Sequence, residues 1–217
     1  MGSMTRTPQS VWQELQEGNL RFMRDESARR QQNSTRRSEL TSGQHPKAVV
    51  LACSDSRVPV EIIFDQGLGD LFVIRTAGQI TDLSVLASLE FAVVSLGVPM
   101  ICVLGHESCG AVKAAHSALL GGEMPSGFQR VLIEKVTPSL LAARRDGQTA
   151  GHEFESRHVA EIVEHLIDRS PEIQQHLADG TVGVVGMRYR LSDGLAQPVV
   201  ARGVDISSAD ETVSLKK

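Results

Sequence analysis

Lys47-Ala48-Val49-Val50-Leu51-Ala52-Cys53-Ser54-Asp55-Ser56-Arg57 and, further along, Met100-Ile101-Cys102-Val103-Leu104-Gly105-His106-Glu107-Ser108-Cys109-Gly110 are the two stretches that decide the fold. Each opens as a short, unbroken apolar run, the texture of a strand buried on both faces. Each then ends in residue types that ligate metals or accept protons. Between them Leu71 to Arg75 forms another apolar run, and residues 83–96 read as an apolar helix stopped by Gly97 and Pro99. Strand, helix and strand in that order imply parallel pairing. Both polar clusters therefore stand at the C-terminal ends of strands, where open α/β sheets place their sites.

Working outward, residues 8–24 read as a helix whose Val11, Leu15, Leu20 and Phe22 make an apolar stripe in need of a partner. Trp12, the only tryptophan, falls outside the core-like region. The stretch that follows, to about Gln44, is polar and basic with Arg29, Arg30, Arg36 and Arg37, and reads as a solvated connector. In the second half, helices are expected over 108–120, 128–144 and 154–168, with a short one after Pro171. Thr181 to Arg188 and Pro198 to Arg202 read as strands joined through Ser192-Asp193-Gly194, a closing hairpin. Met1-Gly2-Ser3-Met4 has the form of a cloning scar. Residues 5–217 then make one α/β domain, with 5–44 as an N-terminal helical arm and connector and 45–217 as the core.

The composition excludes several classes. A chain of 217 residues with 41% hydrophobic and 22% charged residues is an ordinary globular sequence, so disorder throughout is excluded. Its 22 Lys and Arg against 26 Asp and Glu leave a net charge of −4, which offers no broad attraction to nucleic acid. No apolar run approaches the roughly 18 to 20 residues of a membrane span. No charged and then apolar leader opens the chain, so cytoplasm is the expected compartment. With only 4% aromatic residues, the core must be filled by aliphatic side chains. Three cysteines are too few, and odd in number, for a disulfide framework.

Zinc takes tetrahedral nitrogen and sulfur ligands, and a catalytic site keeps one position open to water. Cys53, His106 and Cys109 would make such a set, with His-x-x-Cys turning both side chains of the second cluster toward one point. Asp55 is then either a fourth ligand or the hydrogen-bond partner of the metal's water. A Cys53–Cys109 disulfide competes with this reading, although it would be labile in a reducing compartment. Cys102, between Ile101 and Val103, reads as core filler. Gly67-Leu68-Gly69 starts like a dinucleotide fingerprint, but Phe72 stands where the third glycine is needed. Of the histidines in the helical second half, His158 and His165 share a helix face at a spacing of seven, which suggests a surface stripe.

Together, Cys53-x-Asp55-x-Arg57, Phe72-Val73-Ile74-Arg75-Thr76-Ala77-Gly78 and Gly105-His106-x-x-Cys109-Gly110 resemble the β-class carbonic anhydrases. Ile63-Phe64-Asp65-Gln66-Gly67-Leu68-Gly69-Asp70 is similar to the actinobacterial-type members. The resemblance implies a central sheet of four parallel strands plus an antiparallel edge strand, flanked by helices. It also implies a homodimer, or a homotetramer built as a dimer of dimers, in which N-terminal helices embrace the neighbour. It puts Zn2+ on Cys53, His106 and Cys109, pairs Asp55 with Arg57 as the catalytic dyad, and leaves open that Asp55 itself ligates the metal. The activity implied is reversible hydration of CO2 to bicarbonate by zinc-bound hydroxide. Phe72, Ala77, Phe91 and Gly110 would line the substrate slot, and Gln44 would donate to a substrate oxygen, from the partner subunit if not from its own. Two other readings keep the same metal ligands: a hydrolase of carbonyl sulfide or carbon disulfide, and a closed structural zinc module.

Overall fold

Ala48–Cys53, Leu71–Thr76 and Met100–His106 form strands β1, β2 and β3 of the computed structural model, which describes residues 6–28 and 31–207. The tetrapeptide read as a cloning scar lies outside the described residues, as do Arg29 and Arg30 of the basic connector. Gly183–Tyr189 and Ala196–Arg202 complete the sheet as β4 and β5. The order is β2-β1-β3-β4-β5, with β5 alone antiparallel. This is the mixed sheet expected from the sequence. β1, β3 and β4 are buried along their whole length, which is why they read as continuous apolar runs. β2, at one edge, is only half-buried despite its apolar sequence.

Eight α-helices accompany the sheet among the described residues: α1 (Pro8–Met23), α2 (Ser34–Glu39), α3 (Val60–Ile63), α4 (Leu83–Glu90), α5 (Gly110–Leu119), α6 (Gln129–Arg145), α7 (Gly151–Arg169) and α8 (Pro171–Ala178). The solvated connector contains a short helix with no buried residue, α2, which Asn33 caps by accepting from the Arg36 N–H. α3, unforeseen in the sequence, is one short turn beneath the Asp55 loop. The apolar helix expected over 83–96 narrows to α4 and then widens into one π turn, Phe91–Ser95, before Gly97 ends it.

The alternation of side chains along β1 sets the two layers. Val50 and Ala52 join Met100, Cys102, Leu104 and Met187 in a core covered by α1 and α3, while Val49 and Leu51 join Ile101, Val103 and Val184 under α4, α7 and α8. The stripe of α1 therefore finds its partner on the chain's own sheet. Val11, Trp12 and Leu15 are buried there, and Trp12, expected outside the core, is only 1% exposed. Polar bonds fix the seating: Asn19 donates to the carbonyls of Ile63 and Gly194 and accepts from the Ala196 N–H.

Seating of the arm on its own core predicts that Trp12→Ala costs about 3–5 kcal/mol, the range for emptying a buried indole site. Urea unfolding followed by circular dichroism measures it. A loss below about 1 kcal/mol would mean that the indole is not packed inside its own subunit.

Candidate metal centre

β1 and β3 run side by side in parallel, with Ala52 beside Leu104. That register delivers Cys53 and His106 to the same end of the sheet. Cys109 reaches them because the chain turns sharply between: Ser108 sits at φ +59°, a left-handed conformation uncommon outside glycine, and Cys109 caps the start of α5. The three ligand atoms lie within 4.8 Å of one another, and all three residues are buried.

The imidazole is set in one tautomer. Nδ1 lies 2.9 Å from the Glu107 carbonyl, which only accepts, so Nδ1 carries the hydrogen and Nε2 presents a lone pair. That Nε2 is buried and has no hydrogen-bond partner. The thiols divide one proton between them. A hydrogen bond from Cys109 does most to bring the Cys53 pKa down to about 4, with help from His106 and the Gly78 N–H against the opposing effect of burial. The Cys109 thiol is pushed up by that same bond and by burial. A cation arriving between the sulfurs removes this conflict by replacing the shared proton. For His106, burial disfavours the protonated form, but the nearby Cys53 thiolate, the Glu107 carbonyl and Asp55 together outweigh it and raise the pKa. Two thiolates and an imidazole, mutually close and with an orphaned ring nitrogen, fit a zinc ion.

All three cysteines are free, so the competing disulfide is not formed. Cys102 lies in the core facing α1, its pKa raised to about 12 by burial, as filler should be.

Asp55 stands just past Cys53 at the lip of the cluster. Its Oδ1 accepts from the Arg57 backbone N–H and Nε, each at 2.9 Å, and its Oδ2 accepts from Arg57 Nη2 at 2.7 Å. This fork holds the carboxyl well below the usual carboxylate range. Oδ2 is also 3.8 Å from His106 Nε2, so the dyad borders the metal centre. Sequence reasoning missed Arg75. Its guanidinium donates to the Cys53 carbonyl at 2.9 and 2.7 Å and to the Asp55 carbonyl at 2.7 Å, bracing the loop from β2. The available signal was a cation one residue from the end of an otherwise apolar strand.

The expected slot residues separate into two groups. Ala77 follows the end of β2 and Gly110 follows Cys109, so both border the cluster. Phe72, Phe91 and Gln44 do not reach the cluster of their own chain. Phe72 pairs with Val49, four residues before Cys53 and so about 13 Å from it at about 3.3 Å per residue. Phe91 packs on Phe72 with ring centroids 6.1 Å apart and is 47% exposed. Gln44 is exposed before the entry to β1, at the opposite end of that strand from Cys53. Within one chain these three therefore stand apart from the metal centre. His158, expected on a surface stripe, is fully buried, and only His165 of that pair is exposed.

The sequence profile of carbonic anhydrases matches residues 48–196, the span that holds every element of this centre. The chain belongs to the carbonic anhydrase family. It is 53% identical over 187 residues to a carbonic anhydrase of Mycolicibacterium smegmatis, covering 86% of this chain and 91% of that one. It is 50% identical over 189 residues to carbonic anhydrase 2 of Mycobacterium tuberculosis strain H37Rv, covering 87% and 91%. The β-carbonic anhydrase of Coccomyxa, solved with acetazolamide, superimposes with a TM-score of 0.69 at 25% identity over 93% of this chain and 96% of that one. The family is thus the β class, and zinc is its metal.

Proposed function

We propose that this chain catalyses the reversible hydration of CO2 to bicarbonate and a proton at the Cys53, His106 and Cys109 centre. The observation that carries this reading is the buried three-donor cluster bordered by an ionised Asp55–Arg57 pair. Zinc bound there supplies a hydroxide nucleophile near neutral pH, because the metal lowers the pKa of water from 15.7 to about 7.

The protein groups then have separable tasks. Cys53, His106 and Cys109 hold the ion, and the charge of two thiolates makes their site electron-rich. Asp55 is ionised at neutral pH, so it can only accept a hydrogen bond; Oδ2, 3.8 Å from His106 Nε2, would accept one from the nucleophile and so orient it toward CO2. Arg57 keeps that carboxylate turned outward and charged. Both Asp55 oxygens are engaged by Arg57, which supports an orienting role for Asp55 over a ligating one. Substrate carries no charge, so nothing in its approach needs an electrostatic funnel.

A closed structural zinc module needs a fourth protein ligand. Among the described residues the cluster has three such donors, which favours the catalytic reading. No feature of the geometry favours a sulfur analogue over CO2.

The same proposal assigns the protein to a homodimer or a dimer of dimers. β2 is an unpaired sheet edge, half-buried and apolar, and Phe91, Leu83 and Val94 beside it are exposed. Such an edge is ordinarily covered. A second copy placed there would cover it and bring Gln44, Phe72 and Phe91 of one subunit toward the centre of the other, completing a slot begun by Ala77 and Gly110. We read residues 5–217 as one catalytic unit. No described helix is long and apolar enough to cross a membrane, and free thiols poised for a metal suit a reducing compartment, the cytoplasm.

Asp55→Ala should retain zinc and lower kcat for CO2 hydration by about a hundredfold or more, the usual size of a lost acid-base or orienting group. Stopped-flow hydration with metal content measured on the same sample tests it, and wild-type turnover in the zinc-loaded variant would remove Asp55 from the mechanism. Sedimentation at assay concentration should show a dimer or larger; a monomer with full activity would contradict the shared slot.

A further inference from the structure

We propose that α7 clamps the metal centre from beneath, with Glu155 fixing the loop that carries His106 and Cys109, and His158, acting through the Gly78 turn that follows β2, serving as the positioning residue for the Cys53 thiolate. The two residues lie three apart, on one face of the helix. Both are buried, at 6% and 0% exposure. Neither touches the ligand atoms, and nothing in the chemistry assigned above uses them.

His158 reaches the β2 side of the centre. Its Nε2 is 2.9 Å from the Gly78 carbonyl, and its Nδ1 is 2.9 Å from Ser139 Oγ on α6. A carbonyl only accepts, so Nε2 carries the hydrogen and Nδ1 accepts from the Ser139 hydroxyl. Burial holds the ring neutral. Gly78, gripped by its oxygen, donates its own N–H to Cys53 Sγ at 3.2 Å. The residue must be glycine: φ is +68°, and a Cβ would come within 2.6 Å of the Ala111 Cβ. The Gly78 N–H and carbonyl lie in adjacent peptide planes joined at a glycine Cα, so a grip on the carbonyl restrains the turn from swinging the N–H off the sulfur.

Glu155 reaches the β3 side. Its Oε1 accepts from the Ser108 N–H at 2.6 Å, and its Oε2 accepts from Arg188 Nε on β4 at 2.7 Å. Ser108 is the left-handed residue that turns Cys109 back toward His106. The Glu155–Arg188 pair is buried, where ion pairs contribute little net stability but strongly penalise any displacement of one partner. Close approach of the helix is allowed by Gly105, where a Cβ would lie 2.4 Å from Val159 Cγ2. One helix thus grips the loop that bears His106 and Cys109 and the turn that donates to Cys53, whose sulfur is approached through a chain running from Ser139 to His158 to Gly78.

The inference rests on the metal being held by Cys53, His106 and Cys109, which the wild-type protein tests separately. Wild-type protein exchanged with cobalt(II) should show a thiolate-to-metal absorption band; without one, the ligand assignment fails and the clamp is not in question. Given that band, His158→Leu should shift it and speed zinc release to a chelator about ten- to hundredfold, the usual effect of losing a residue that supports a ligand. His158→Gln, whose amide can replace the Nε2–H donor, should restore most of both. Leu166→Ala, a buried site further along the same helix, should lower the Tm and leave band and release rate unchanged. If His158→Leu does not fold, Ser139→Ala is read the same way: a shifted band with faster release supports the clamp, and wild-type values overturn it. Wild-type band and release in His158→Leu, or changes in Leu166→Ala as large as in His158→Leu, would also overturn it.

Discussion

Parallel pairing of β1 with β3 in one register is the constraint on which the rest of the molecule depends. Ala52 lies beside Leu104, so the chain leaves the sheet at adjacent points with Cys53 on one strand and His106 on the other. Side chains alternate along a strand, so a slip of one residue would exchange the two buried faces of β3 and carry the imidazole away from the thiolate. The register is in turn enforced from both sides. Val50, Ala52, Cys102 and Leu104 must face α1, and Val49, Leu51, Ile101 and Val103 must face α4 and α7. Aliphatic packing far from the chemistry therefore sets the position of the ligands.

A second constraint is charge. Two sulfurs and a carboxylate crowd one buried corner, and in the absence of a cation they compete for a proton. Arg57 satisfies the carboxylate, Arg75 holds the backbone carbonyls of Cys53 and Asp55, and Arg188 offsets Glu155 behind the second loop. Each guanidinium is planar and forked, which suits paired oxygen acceptors better than an ammonium would. The two sulfurs and the lone pair of His106 Nε2 are the donors that no protein cation offsets, and they are the set that suits zinc.

Much of this was legible in the sequence, for physical reasons. Strands buried on both faces read as unbroken apolar runs, so β1, β2 and β3 stood out, and metal-type residues directly after two of them located the centre. The features that escaped depend on contacts between distant segments. Trp12 looked peripheral because the core cluster it joins is assembled from segments distant in sequence, from Ala48 to Tyr189. His158 and His165 share a helix face by periodicity, yet the helix rotates only the first into the core, where Ser139 and Gly78 wait. Gln44, Phe72 and Phe91, which the family resemblance assigned to the substrate slot, stand away from the centre of their own chain, a separation that depends on the strand register and not on any local pattern. Arg75 was hidden by its place in an apolar strand.

The central claim is that Cys53, His106 and Cys109 hold a zinc on which CO2 hydration depends. Zinc content and CO2 hydration measured together on wild-type protein and Cys53→Ser test it most directly. The account predicts about one zinc per chain with hydration in the wild type, and loss of both in the variant. A metal-free Cys53→Ser protein that hydrates CO2 at the wild-type rate would contradict it.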